Sequence, residues 1–468
     1  MATRIVIIGG GPAGYEAALV AAAHPAEVTV IDSDGIGGAC VLFDCVPSKT
    51  FIASTGVRTD LRRAPQLGYD IDIEDAKISL PQIHDRVKTL AAAQSADIAE
   101  RLRSQGVRLI SGRGELADPV PGMAQHRVEV TEPDGTEQIL DADVVLIATG
   151  ASPRELPDAR PDGQRILNWR QLYDLTDLPD HLVVVGSGVT GAEFVNAYTE
   201  LGVPVTVVAS RDQILPHEDS DAAAVLEEVF AERGVTLVKK ARAQSVTRGD
   251  DGVVVTMTDG RCVEGSHALI TVGSVPNTSG LGLERVGIEL GKGDYIPVDR
   301  VSRTSVPTIY AAGDCTGLLP LASVAAMQGR IAMYHALGEG VTPIRLRTVA
   351  AAVFTRPEIA AVGVPQARID DGTVPARTLN LPLNTNARAK MSGLRKGFVK
   401  IFCRPATGVV IGGVVVAPVA SELILPIALA VSNQASVADL AQTLSVYPSL
   451  TGSITEAARR LMAHDDLD

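Results

Sequence analysis

The sequence predicts an α/β chain of two doubly wound, Rossmann-like domains followed by a C-terminal α+β domain, and three observations carry this expectation. A short apolar strand pattern, Ile5 to Ile8, runs into a glycine-rich turn, Gly9-Gly-Gly-Pro-Ala-Gly14, and then into an Ala-rich helical stretch to about Ala23. The same grammar recurs at Leu182 to Val185, Gly186-Ser-Gly-Val-Thr-Gly191 and a helical stretch to Leu201. From Arg345 onward, strand-like runs (Phe398 to Phe402, Val409 to Ile411) alternate with helical stretches (Ser421 to Ser432, Val437 to Leu444, Ile454 to Ala463), the pattern of an α+β domain.

A chain of 468 residues, 46% of them hydrophobic, is long enough for two to four domains with a large core. With 42 Lys+Arg against 55 Asp+Glu, the net charge of −13 argues against nucleic acid or an anionic membrane as a main partner. Ile5 to Ile8 is too short for a signal peptide and leads straight into glycines. Pro405 to Ser421 carries no charge, but glycines and Pro418 interrupt it and it falls short of the ~20 residues of a membrane-spanning helix, so it reads as a buried strand. Five cysteines do not form the pattern of a secreted disulfide framework, which points to a reducing, cytoplasmic setting. Residues 82 to 105 have helical periodicity, and Asp143 to Ile147 is a further buried strand ending at Ala148-Thr-Gly150. The expected division is a discontinuous first domain (1–150 and 275–345), a second inserted into it (151–274) and a third over 346–468.

In each G-x-G-x-x-G turn the glycines have mechanical tasks. Gly9 permits the tight turn, Gly11 lets the backbone approach a pyrophosphate, and Gly14 packs helix against strand, while Pro12 and Ala13 open the helix whose free N–H groups hold phosphate. Asp32 ends the second strand, about 20 residues on, where a carboxylate binds a ribose hydroxyl pair. Gly186, Gly188 and Gly191 repeat the arrangement, but Ala209 stands where the acid should be, with Ser210 and Arg211 after it. Loss of the acid removes the repulsion against a 2′-phosphate, which Ser210 and Arg211 would bind; otherwise Arg211 is a solvated surface residue. Two dinucleotide sites in one chain are the expectation.

Gly37-Gly-Ala-Cys40-Val-Leu-Phe-Asp-Cys45-Val-Pro-Ser-Lys49 is the most specific stretch. The spacing matches no common zinc motif, and no second cysteine or histidine cluster accompanies it, so no metal is expected. Following directly on a dinucleotide unit, the pair suits redox exchange with a bound flavin. Together with Ala148-Thr-Gly150, Val272-Gly-Ser-Val-Pro-Asn277, Thr304 through Ile309-Tyr-Ala-Ala-Gly-Asp314, and Val353-Phe-Thr-Arg-Pro-Glu-Ile359, it resembles the class I pyridine nucleotide-disulfide oxidoreductases over essentially the whole length.

The resemblance implies FAD in the first domain, NADPH or NADH in the second, and a homodimer formed through the third. It makes Cys45 the thiol nearest the flavin and Cys40 the interchange thiol. Lys49 resembles a lysine beside flavin N5, ion-paired with the glutamate that Glu193 matches, although such a buried pair can also be structural. Asp314 resembles the carboxylate on the ribityl chain. Gly114, Thr149 and Gly150 sit where the family wraps FAD, and Ala39, Ala322 and Gly273 fall at further cofactor-binding positions. Cys262, Cys315 and Cys403 read as packing residues.

The pattern departs from the family at one place. Disulfide reduction needs an acid and a base, which the family supplies as a His before a Pro and a Glu five residues later, acting across the dimer. Here Tyr447-Pro448 and Gly452 stand there, Gly452 is expected in a tight turn without room for a side chain, and His464 reads as solvated. No cysteine follows Cys403. The resemblance therefore points to the lipoamide-dehydrogenase-like NAD(P)H:quinone reductases. A disulfide reductase using Cys40, Cys45 and Tyr447 or water is the alternative, a soluble transhydrogenase fits less well, and a flavin-loaded redox sensor or binding module is the reading of another class.

Overall fold

The structure, a computed structural model, describes residues 2–73, 76–120, 122 and 125–462; His464 lies outside them. The first sheet grows from the opening strand, Thr3–Ile8, whose Ile5, Val6, Ile7 and Ile8 are all buried. A strand covered on both faces must be continuously apolar, as in a parallel sheet sandwiched between other layers. Ala26–Asp32 and then Arg108–Ser111 lie on one side of it, Val144–Ile147 and then Ile309–Ala311 on the other, all parallel. The strand order therefore reverses between Thr3–Ile8 and Val144–Ile147, and a crevice opens at their C-terminal ends.

Helix α1 (Pro12–Ala22) leaves the first strand, with its proline at a position whose N–H would be unpaired anyway. Short α2 (Gly38–Leu42) and α3 (Cys45–Arg63) follow the second strand, and α4 (Leu80–Ser104) precedes the third. An antiparallel sheet of Arg113–Leu116, His126–Thr131 and Glu137–Ala142 packs Leu116 and Val128 against Val6 and Ile8.

The chain leaves this domain along Ala151–Pro153 and returns along Ser274–Pro276, two strands paired antiparallel. Between them Leu182–Val185 is the centre of a second parallel sheet, flanked by Val205–Val208 and His267–Ile270. Helices α5 (Val189–Glu200) and α6 (Ser220–Glu232) belong to it. After the return, α7 (Ala322–Ala336) packs on α1 so closely that a Cβ on Gly329 would lie 2.1 Å from the Ala13 carbonyl oxygen.

The C-terminal part is a five-stranded antiparallel sheet in which Val410–Ala417 pairs with both Glu358–Gly363 and Phe398–Cys403. The uncharged run from Pro405 supplies Val410–Ala417, buried almost throughout. The helix expected over 421–432 is two helices, Ala420–Leu423 and Leu425–Asn433, because Pro426 has no N–H to continue the first. One apolar cluster ties all three parts together through Phe51 of α3, Val184 and Tyr198 of the inserted domain, and Phe398 and Phe402 of the last sheet.

The isolated cysteines divide. Cys315 and Cys403 are fully buried packing residues, and burial pushes the Cys315 thiol up to about 11. Cys262 is exposed, contrary to expectation, because the alternating strand Cys262–Gly265 turns it to the solvent face.

Candidate active site

The first crevice is built around a glycine turn that excludes side chains. Gly9 has φ +109°, and a Cβ there would lie 2.2 Å from the Ala148 carbonyl oxygen, so only glycine lets the two strands end this close together. At Gly14 a Cβ would lie 1.8 Å from the Gly9 carbonyl oxygen, which seats α1 on its strand. At Gly11 a Cβ would have 3.9 Å to its nearest atom, the Gly38 Cα, so the missing side chain there keeps space for a ligand. Asp32 accepts the Gly10 N–H at 2.5 Å on one oxygen and the Asp34 and Gly35 N–H groups at 2.7 Å on the other. Burial pushes its carboxyl up against those three hydrogen bonds.

A cavity of about 540 Å³ runs from Asp32 along Gly9, Gly11, Pro12 and Ala13 to the cysteine pair, and it is also lined by Ala39, Gly114, Thr149, Gly150, Asp314 and Ala322. Its length, the free N–H groups at the start of α1 and a carboxylate near each end fit a dinucleotide such as FAD. Asp314 is pushed up to about 6 by burial, with Asp44 adding to the effect. Two of the quoted motifs clamp one another beside the cavity: the Thr149 hydroxyl donates to the Asn277 carbonyl at 2.7 Å, and the Asn277 side chain donates to the Thr149 carbonyl at 2.9 Å.

The thiols reach this cavity because α2 rests on the glycine turn. Gly37 and Gly38 both have positive φ, and a Cβ on Gly38 would lie 2.8 Å from the Gly11 Cα. Cys40 and Cys45 act on one another: Cys45 lowers Cys40, and Cys40 joins burial in holding Cys45 well above the ordinary thiol range. Lys49 Nζ lies 2.9 Å from Glu193 Oε2, and the other Glu193 oxygen accepts the Phe354 N–H at 3.0 Å. Glu193 is 3% exposed, so this pair spans all three parts of the chain in a water-poor setting. Burial alone would lower Lys49, but Glu193, Cys45 and Asp44 outweigh it and hold the ammonium up.

In the second crevice Gly186 has φ +115°, and its Cβ would lie 2.4 Å from the Thr271 carbonyl oxygen. Gly191 is as tightly held against the Gly186 carbonyl oxygen, whereas Gly188 and Gly273 have open space. Ala209 is buried at the strand end, and Ser210 and Arg211 are exposed. The Arg211 carbonyl accepts the Lys240 N–H and the Ala209 carbonyl accepts the Ala241 N–H, both at 2.9 Å, so exposed Lys240 and Arg242 belong to the same rim. Sequence reading found one cation here; the others are distant in the chain and no motif marks them. Arg211→Ala should raise KM for NADPH about tenfold through loss of ~1.5–3 kcal/mol of charged hydrogen bonding and hardly affect NADH. Parallel titrations of the two cofactors check this, and equal effects would refute the assignment.

Tyr447 is 86% exposed and does not line its own chain's cavity. Gly452 is not in the expected tight turn. It begins the helix Gly452–Met462, and the nearest atoms to a Cβ there, two serine hydroxyls, lie at an ordinary 3.7 Å. Two further residues at the cavity were not singled out from sequence. Arg170 stacks 4.6 Å over the Phe43 ring and reaches Asp34 at 3.3 Å, and Asp44 lies between the cysteines in the chain. Asp44 was visible inside the cysteine motif; nothing in the sequence marks Arg170.

The family model described as pyridine nucleotide-disulphide oxidoreductase matches residues 3–329, and that of the dimerisation domain of these proteins matches 349–458. An NAD(P)H dehydrogenase (quinone) of Mycobacterium tuberculosis is 78% identical over 100% of this chain and 96% of its own length. A dihydrolipoyl dehydrogenase of Zymomonas mobilis is 31% identical over 97% and 96%. The crystal structure of LpdA from Mycobacterium tuberculosis superposes with a TM-score of 0.95 at 77% identity, covering 98% of this chain and 100% of that one. The flavoprotein disulfide reductase RclA of Escherichia coli, at 22% identity and a TM-score of 0.86, shares the fold.

Proposed function

The chain belongs to the pyridine nucleotide-disulphide oxidoreductases, FAD- and NAD(P)H-using enzymes, and on that premise we propose that it is an NAD(P)H:quinone oxidoreductase. The observation that carries this reading is the intact cavity with its cysteine pair and Lys49–Glu193 pair beside a missing acid–base device, Tyr447 and Gly452 in place of His and Glu. The name of the 78% identical relative supports it.

Asp32, the glycine turn, Gly114, Thr149, Asp314 and Ala322 would hold FAD, and the second glycine turn with Gly273, Ser210 and Arg211 would hold NAD(P)H. FAD supplies, when bound, a carrier that takes two electrons from the nicotinamide and yields them to an acceptor. Lys49, fixed by Glu193, keeps a positive charge beside Cys45 and Asp44, next to the cavity rather than in its lining. A quinone takes its protons from solvent, so it has no need of the absent histidine. We place the protein as a homodimer through its dimerisation domain, with Tyr447 facing the partner subunit's Cys40. Among the described residues no helix is long and apolar enough to cross a membrane, and a cytoplasmic setting agrees with the cysteine usage.

The test is Cys40→Ser. In folded, FAD-loaded protein it should retain most turnover with a naphthoquinone, since Cys40 is the outer thiol. Loss of more than about 90% would mean that electrons leave through the thiols, and reduction of a small disulfide would become the better reading.

A further inference from the structure

Asp44 stands directly before Cys45 at the N-terminal end of α3, the position where an aspartate ordinarily caps the free N–H groups of a helix. It makes no such bond, and its side chain has no hydrogen bond among the described residues. The carboxylate lines the cavity together with Cys40 and Cys45. A thiol at a helix N-terminus with a lysine one turn away has two influences favouring its thiolate. Asp44 sets a negative charge against both.

We infer that Asp44 is a specificity-determining residue, whose uncommitted carboxylate disfavours the thiolate of the neighbouring cysteine pair and so leaves the flavin, not the thiols, as the exit for electrons. Opening a Cys40–Cys45 disulfide takes up two electrons and one proton from NAD(P)H-reduced flavin, breaks the S–S bond, and leaves one thiol and one thiolate. That thiolate is the charge Asp44 opposes. The groups facing Asp44 are Lys49 on its own helix, Glu193 of α5, Arg170 and Tyr173 from the inserted domain, and Asp314. Burial, joined by Glu193, pushes the Asp44 carboxyl up, and Lys49 and Arg170 act the other way, toward its ionised form. At Cys40, which Cys45 lowers, the Asp44 carboxylate acts upward against that effect, and at Cys45 it adds to the larger upward effects of Cys40 and burial.

The inference rests on the reading that electrons leave from the flavin, but its deciding measurement, thiol alkylation, needs no acceptor and so fails or stands separately from quinone turnover. FAD-loaded protein is reduced with excess NADPH under argon and alkylated with iodoacetamide across pH 6 to 10. Asp44→Asn should shift the alkylation profile about one pH unit toward acid, which is about tenfold faster alkylation at neutral pH. Asp44→Glu should restore the wild-type profile. The ratio of lipoamide to naphthoquinone turnover should rise at least about fivefold in Asp44→Asn. Should that variant fail to bind FAD, Asp44→Ser, which keeps an oxygen at the helix start, is read in the same way. An Asn or Ser profile that overlays the wild type overturns the inference, as does a Glu variant that behaves like Asn.

Discussion

Glu193→Ala should lower NAD(P)H:quinone turnover about 10²-fold and add a loss of activity on the alkaline side. The carboxylate has two jobs. One oxygen holds the Lys49 ammonium at 2.9 Å, and the other accepts the Phe354 N–H at 3.0 Å. With both bonds gone the Lys49 side chain is free to leave its position, and a displacement of ~1 Å at a reacting centre is enough for a 10²-fold loss. The half-buried Phe354 N–H also loses its acceptor, which costs at most about 1 kcal/mol more, since water can reach part of it. The sign of the pH effect follows from the balance at Lys49. Burial lowers its pKa and Glu193 is the largest of the groups that raise it. Remove Glu193 and burial gains, so the folded-state pKa falls. The ammonium is then present below that lower value and lost as pH rises through it. Measurements of kcat from pH 6 to 10 read this directly. Glu193→Gln keeps an acceptor for Phe354 but not the counter-charge; if it has full activity and a flat alkaline limb, the ion pair contributes nothing to turnover.

How much of this was legible in the sequence depends on how local the determining interactions are. The two glycine turns were readable because strand, turn and helix are contiguous in the chain and the last glycine of each answers the first, as Gly14 does Gly9, although Gly9 and Gly186 themselves meet the distant Ala148 and Thr271. The cysteine motif was readable for the same reason, since Gly37 and Gly38 bend α2 onto the turn that precedes it. The bond from Phe354 to Glu193 and the stacking of Arg170 on Phe43 join residues more than a hundred positions apart. No periodicity records such a meeting. Lys240 and Arg242 escaped for a related reason: a neighbouring strand end carries them to the rim beside Arg211. Cys262 was misjudged because an alternating edge strand gives half its positions to solvent, and composition alone does not say which half. Gly452 was misjudged because glycine signals a turn more often than the first residue of a helix.

That last correction sharpens the experiment on the missing acid–base pair. Tyr447→His with Gly452→Glu should raise disulfide reductase activity by about 10²–10⁴-fold from a low base, the ordinary worth of positioned proton transfer. Position 452 has room for a side chain, and a glutamate in the first turn of a helix is favoured by the helix dipole. Gly452 is the first residue of its helix, where replacing glycine changes helix propensity little, so the double variant should fold about as well as the parent. Tyr447→His alone should gain less, because nothing then orients the imidazole. The gain should require Cys40, the thiol the histidine would serve across the dimer, and adding Cys40→Ser to the same chain should remove it. The measured quantity is the ratio of lipoamide to naphthoquinone turnover in FAD-loaded protein. A ratio that does not move, in a protein shown by light scattering to be a dimer, would mean that position 447 does not reach the partner subunit's thiols. A ratio that rises and stays high without Cys40 would mean that the new histidine acts at some other place.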